Sequence, residues 1–273
     1  MFPETQSTDA APADGDSKVN HAPNEHEGWH GLDRRFELLG AWSGVAWVIF
    51  AGAAYGISGL VPVKSPSLTP EQVASFVSDH HYRILIGMSL MLIGGFTFLL
   101  TWSLTLANQV RQYVNPSKMV FYVQVAVGLN GAFIGMFCGV FGLEMAYRAD
   151  TFEPSTIQML YDLLWFLFLT PWPPFMLWQF ALGFAILSST NNQRFLPRWI
   201  GYLSIWAGAL EVFSLLSPFW YEGPFSYNGL VTFWIPGISF FVWVLIFAIF
   251  QVRNWKHVRD LPGGVFIERS AVR

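Results

Sequence analysis

Six apolar segments, near residues 37–60, 84–106, 119–148, 155–188, 198–217 and 230–252, run through the chain, and Lys and Arg are confined to their ends and connections. About twenty apolar residues in a helix suffice to cross a hydrocarbon core of ~30 Å, so each segment is a candidate span. Charged residues make up 12% of the sequence, about half the share of an ordinary soluble domain, and water is therefore not the main solvent. The expected fold is all-α, a polytopic transmembrane helical bundle of six spans.

Orientation follows from the basic residues, which stay on the cytoplasmic side of short loops. With the N-terminus inside, twelve of the fifteen Lys and Arg fall on the inner side and only Lys64, Arg83 and Arg148 on the outer. Losing or adding one span would scramble that bias, so both termini are expected in the cytoplasm. Residues 1–35 are acidic, rich in Asp, Ala, Pro and His, and lack the apolar stretch of a signal peptide. They read as a disordered cytoplasmic tail whose His21, His26 and His30 need no metal to explain them. Residues 36–252 form the membrane domain and 253–273 a basic cytoplasmic tail. A net charge of −3 points away from nucleic acid as a partner.

The longest connection, about 23 residues over 60–82, ends in a helix signal. Thr69 stands where an N-cap would, Pro70 at the first helical position, and Glu71 and Gln72 in the first turn. Val73, Phe76, Val77 and His80 follow at helical spacing, predicting an amphipathic helix that lies flat or runs on into the second span. In the third span Gly131, Gly135 and Gly139 recur every four residues, extended by Gly128 and Gly142. Small residues at that spacing let helix backbones approach closely in lipid, where no hydrophobic force drives helices together. This span is expected at the centre of the bundle, with Gln124 bonding to a neighbouring helix.

The fourth segment is too long for one perpendicular crossing, since 34 residues make a straight helix of ~51 Å. Pro171, Pro173 and Pro174 in its middle remove amide donors and clash with preceding carbonyls, so the helix must kink or break there. Freed carbonyls at that depth are tolerated only against protein or a water-filled cavity. Transporters build midplane sites from such breaks, but an inverted repeat would show a matching break in its other half, and the first three spans contain no proline.

Three carboxylates fall inside spans, Glu144, Asp162 and Glu211, all toward the outer half by chain direction. With Gln179, Pro171, Pro173 and Pro174 they are the candidate residues of a ligand or ion pocket. Two readings stand beside each other: a shared polar pocket facing outward, or helix-end pairs of Glu144 with Arg148 and Asp162 with Arg83. His80 and His81 are the nearest side chains a metal could use, yet consecutive residues point apart on a helix. Cys138, the single cysteine, lies within the third span and gives neither a disulfide nor a thiolate site. No histidine or lysine lies within a span, which argues against haem and retinal, and no cofactor is expected. Motifs of soluble catalysis are absent. Aromatic residues gather at predicted boundaries, above all over 218–229, as interfacial anchors or as the mouth of an apolar site.

Leu-Pro-Arg-Trp-Ile-Gly-Tyr at 196–202, Gly-Pro-Phe at 223–225 with Asn228 and Gly229, and Phe-Trp-Ile-Pro at 233–236 give residues 36–252 a resemblance. The chain resembles a group of uncharacterised six-helix bacterial membrane proteins. The resemblance implies a bacterial cytoplasmic (inner) membrane and carries no catalytic residue with it. The leading expectation is a protein, not an enzyme, that binds or passes a small lipophilic molecule between the broken fourth span and the third and fifth. The alternatives are an accessory subunit scaffolding a membrane enzyme or transporter, and an intramembrane metal-dependent enzyme. Expected partners are the lipid bilayer, other membrane protein subunits and a small apolar ligand.

Overall fold

Capping chemistry starts the second long helix where the sequence places it. Thr69 Oγ1 accepts from the Gln72 amide at 3.4 Å and Gln72 Oε1 accepts from the Thr69 amide at 2.9 Å, with Pro70 at the first helical position. This reciprocal pair satisfies two of the donors that a helix start leaves free. The helix does not lie flat; it runs from Pro70 to Tyr113 as one 44-residue element. Its parts are α2 (Pro70–Met91), a seven-residue π segment (Leu92–Phe98) and α3 (Leu99–Tyr113).

The computed structural model describes residues 25–189 and 195–259, all-helical with no strand among them. Before α2 comes α1 (Glu25–Ser58); after α3 come α4 (Lys118–Tyr147), α5 (Pro154–Leu169), α6 (Trp172–Ser188), α7 (Arg198–Glu211) and α8 (Ile235–Arg259). A 3-10 stretch (Val212–Phe219) prolongs α7, and a π turn (Leu230–Trp234) leads into α8. Helix therefore begins at Glu25, within the stretch expected as tail, while residues 1–24, His21 among them, and 260–273 lie outside the described residues.

Five helices, Arg35–Ser58, Pro70–Tyr113, Lys118–Tyr147, Arg198–Phe219 and Leu230–Asn254, are long and apolar enough to cross a membrane. The fourth segment of the sequence is the exception, because it divides. Thr170 ends α5, Pro171 takes φ −79° and ψ 22°, and Pro173 and Pro174 sit in the first turn of α6. That turn has no intrahelical donors to lose, which is why prolines settle there. The carbonyls of Leu167, Leu169 and Thr170, four residues before the three prolines, have no proline amide to receive.

The glycine face of α4 holds the helices together. A Cβ on Gly135 would lie 3.0–3.1 Å from the carbonyl carbon, Cα and oxygen of Gly95 in the π segment, and one on Gly139 would lie 3.3 Å from the Met88 carbonyl oxygen. Backbone thus meets backbone. Gly94, beside Gly95, faces α1, where a Cβ would run into Phe50. Through this face α4 packs on α2, the π segment, α3, α5 and α6. Its other face is open: Leu129, Phe133, Phe137 and Val140 are exposed. The helix is accordingly one-sided and not enclosed at the centre, since glycines recur along one stripe only. Gln124 is also corrected. It is buried, but its amide donates at 3.4 Å to the Val120 carbonyl of its own helix, one turn back.

Candidate functional site

Two helix irregularities face each other across the middle of the bundle and leave a cavity of about 40 Å³. Phe168, Trp172 and Phe175 from the α5–α6 joint form one wall, spaced to share a helix face. Met91, Gly95 and Leu99 bracket the π segment opposite, and Gly131, Ile134 and Gly135 of α4 close the floor. Trp47, Ala51 and Tyr55 of α1 and Gly237, Phe240 and Phe241 of α8 complete the lining. π segments and proline breaks both widen a helix locally. Here glycine on one side and aromatic rings on the other leave the gap incompletely filled.

The rings are locked in place. Trp172 meets Phe240 edge-on at 5.8 Å, Phe175 meets Phe240 at 5.1 Å, and Trp47 packs on Phe241 at 4.8 Å. Such geometry is worth about 0.5–1.5 kcal/mol per pair beyond burial. Gly237 has open space beside it: a Cβ there would meet no atom within 4 Å.

None of the carboxylates lines this cavity, and each has a separate partner. Glu144 lies 4.0 Å from the Arg148 guanidinium, both side chains half exposed, as the helix-end reading expects. Asp162 does not pair with Arg83. It accepts from the Tyr227 hydroxyl at 2.9 Å, while Arg83 Nε donates to the Ile57 carbonyl at 3.0 Å. Arg83 thereby covers the carbonyl end of α1, a favourable position for a cation. Tyr227 is buried, so the aromatic loop after Phe219 is fastened to α5 by the very residue that Asp162 holds. Replacing Asp162 with Asn keeps an acceptor there, so Asp162→Asn should cost less than Asp162→Ala. The latter strands the Tyr227 hydroxyl at ~1–2 kcal/mol, read as a lower melting temperature in detergent.

Glu211 and Gln179 do come together. Both are fully buried, and Gln179 Nε2 donates to Glu211 Oε1 at 2.6 Å. Pro171 lies at the joint, with Pro173 and Pro174 in the first turn of α6. His80 and His81 turn away from any shared centre, their Nδ1 atoms donating to the carbonyls of Phe76 at 2.9 Å and Ser78 at 2.7 Å. Among the described residues no three His, Cys, Asp or Glu side chains gather as a metal-binding group. Cys138 is buried, its thiol 3.7 Å from the Leu164 carbonyl of α5.

Sequence reading missed a second buried network. Trp102 Nε1 donates to Gln251 Oε1 at 2.6 Å, and Gln251 Nε2 donates to Gln109 Oε1 at 2.8 Å, joining α3 to α8. Trp102, Trp178 and Trp243 meet one another tilted or edge-on at 5.3–5.8 Å between centroids. The Trp243 ring N–H donates to Ser204 at 2.9 Å. Gln251, a glutamine inside the last apolar segment, was the available signal; Gln109 lies just past the end of the second.

Exposed Phe219, Trp220 and Tyr221 stand at the end of the 3-10 stretch, away from the cavity lining. The motifs over 196–202, 223–229 and 233–236 fall on helix starts and the loop between them. Compared with protein-family models, with curated proteins and with solved structures, the chain matches none. The site therefore speaks only through its own residues.

Proposed function

We propose that this chain is a six-span membrane protein that binds, or passes, a small apolar molecule at the centre of its bundle. The observation that carries the reading is the apolar cavity between the π segment and the α5–α6 joint. On this reading α5 and α6, at 16 and 17 residues, are each too short to cross alone, being ~24 and ~26 Å long. Together they make one broken crossing, and both pack on α4. Both termini then share the side that holds twelve of the fifteen basic residues, the cytoplasm by the positive-inside bias. A bacterial cytoplasmic membrane is the setting that the resemblance implies.

Volume limits the ligand. About 40 Å³ exceeds the ~10–15 Å³ that holds one water but falls far below the ~150 Å³ that admits benzene in an engineered soluble cavity. As it stands the cavity takes a molecule of a few heavy atoms. Anything larger requires α5 and α6 to hinge about residues 170–174, where intrahelical bonds are already missing. The lack of a gathered donor set among the described residues favours binding over metal-dependent catalysis.

Dibromomethane, a small heavy-atom quencher, tests this against Trp47 and Trp172 in the cavity wall. Saturable quenching of tryptophan fluorescence in detergent or bilayer discs is expected above the linear background of a partitioned solute. Strictly linear quenching would reject the cavity as a binding site. A protein that co-purifies at constant stoichiometry from the native host, with no saturable quenching, would instead make the chain an accessory subunit.

A further inference from the structure

Glu211 and Gln179 each carry a second polar atom with no hydrogen-bond partner, although both side chains are fully buried. Gln179 Nε2 donates to Glu211 Oε1, leaving Glu211 Oε2 and the Gln179 carbonyl oxygen Oε1 unpartnered. Both of these atoms are acceptors when the carboxyl is ionised. Two acceptors cannot satisfy each other, and a buried polar group left without its bond is destabilising.

Among the described residues Glu211 has no ion-pair partner. α6 contains no Asp, Glu, Lys, Arg or His, nor does the Val212–Phe219 stretch, and α8 has none before Arg253. On α7 itself Arg198 begins the helix and Glu211 ends it, ~20 Å apart along the axis. On α4, which also packs on α6, Lys118 begins the helix, Tyr122 and Tyr147 are exposed, Cys138 lies against the Leu164 carbonyl and Glu144 lies beside Arg148. Asp162 on α5 and Tyr227 in the loop after the 3-10 stretch bond to each other. A hard metal cation would need roughly six oxygen ligands, and the pair offers two free ones.

We infer that Glu211 and Gln179 form a buried proton-binding site, in which the protonated carboxyl donates from Oε2 to the Gln179 carbonyl oxygen while accepting from its amide. One proton satisfies both stranded atoms and removes the unpaired charge. The resulting acid–amide ring is a two-bond clasp between α6 and the end of α7. This site is separate from the apolar cavity and stands whether or not that cavity binds a ligand.

Infrared spectroscopy of the full chain in detergent at neutral pH tests the inference. The expected result is a carbonyl stretch of a protonated carboxylic acid, downshifted in heavy water and missing from the Glu211→Gln variant. Glutamine at 211 can form the same two-bond ring with Gln179, so that variant is expected to fold. Gln179→Leu gives an independent reading, because it keeps the carboxyl and removes its partner: the band should move to higher frequency. Absence of the band in the unmodified protein would overturn the site, as would a band unchanged in both variants. Loss of the band on adding sodium chloride would show that a metal cation displaces the proton, and would equally overturn it.

Discussion

Gly135→Leu is expected to leave little folded protein, whereas Gly237→Leu, at the same cavity, is expected to fold and to lose saturable quenching by dibromomethane. The difference lies in what a side chain would meet. At Gly135 even a Cβ falls 3.0–3.1 Å from three backbone atoms of Gly95, and backbone cannot swing aside as the end of a side chain can. Overpacking a well-packed interior costs about 1–3 kcal/mol and sometimes more, and here the whole α4 contact must part to admit an isobutyl group. At Gly237, a cavity-lining position, a Cβ would meet nothing within 4 Å, so the added side chain has open space to occupy and no backbone to displace. Size-exclusion profile and thermal unfolding in detergent read the first effect, fluorescence the second. A Gly135→Leu protein melting like the unmodified one would remove the backbone contact as the element that holds α4. Quenching that stays saturable in a folded Gly237→Leu protein would place the bound molecule elsewhere.

Local chemistry made parts of this architecture readable in advance. The cap at Thr69, the break at Pro171–Pro174 and the packing role of Gly131, Gly135 and Gly139 each follow from a few neighbouring residues, and each stands in the structure. Partnerships across the fold were harder. Asp162 lies 65 residues from Tyr227, and Gln179 lies 32 from Glu211; nothing in one sequence says which polar side chains will face one another. Arg83 was expected to seek a carboxylate because ion pairing is the usual escape for a charge in an apolar setting. The carbonyl end of α1 offered a nearer acceptor.

The π segment escaped notice for a different reason. Gly94 and Gly95 permit the widened turn but do not require it, and glycine inside an apolar helix ordinarily signals only close packing. In the structure two neighbours lie against adjacent residues of the turn, α1 at Gly94 and α4 at Gly95. The cavity follows from the same coincidence. It needs the π turn, the proline joint and the aromatic faces of α1 and α8 at one level, and no segment alone encodes that level. A sequence argument could find the irregular helix but not what it faces.

Trp102→Ala is expected to destabilise the protein by about 3–5 kcal/mol, the usual cost of emptying a buried tryptophan site. Trp102 has no exposed surface, and its ring lies 5.8 Å from those of both Trp178 and Trp243. Its removal opens a void between α3, α6 and α8 and strands Gln251 Oε1. Close approach to α1 is provided by Gly44, where a Cβ would come within 2.5 Å of Trp102 Nε1, so no neighbour stands ready to fill the space. Trp102→Phe separates packing from hydrogen bonding, since it keeps most of the ring and loses only the N–H. Interhelical bonds of this kind average ~0.6 kcal/mol and reach ~1.7 in membrane proteins, so Trp102→Phe should cost far less than Trp102→Ala. Gln251→Leu should cost more than Trp102→Phe, because it leaves both the Trp102 donor and Gln109 Oε1 without their partner. In a cycle of Trp102→Phe and Gln251→Leu the double variant should then be less destabilised than the sum of the two. Strict additivity would mean that the Trp102–Gln251 bond contributes nothing, and that the tryptophan cluster joins α3 to α8 by packing alone.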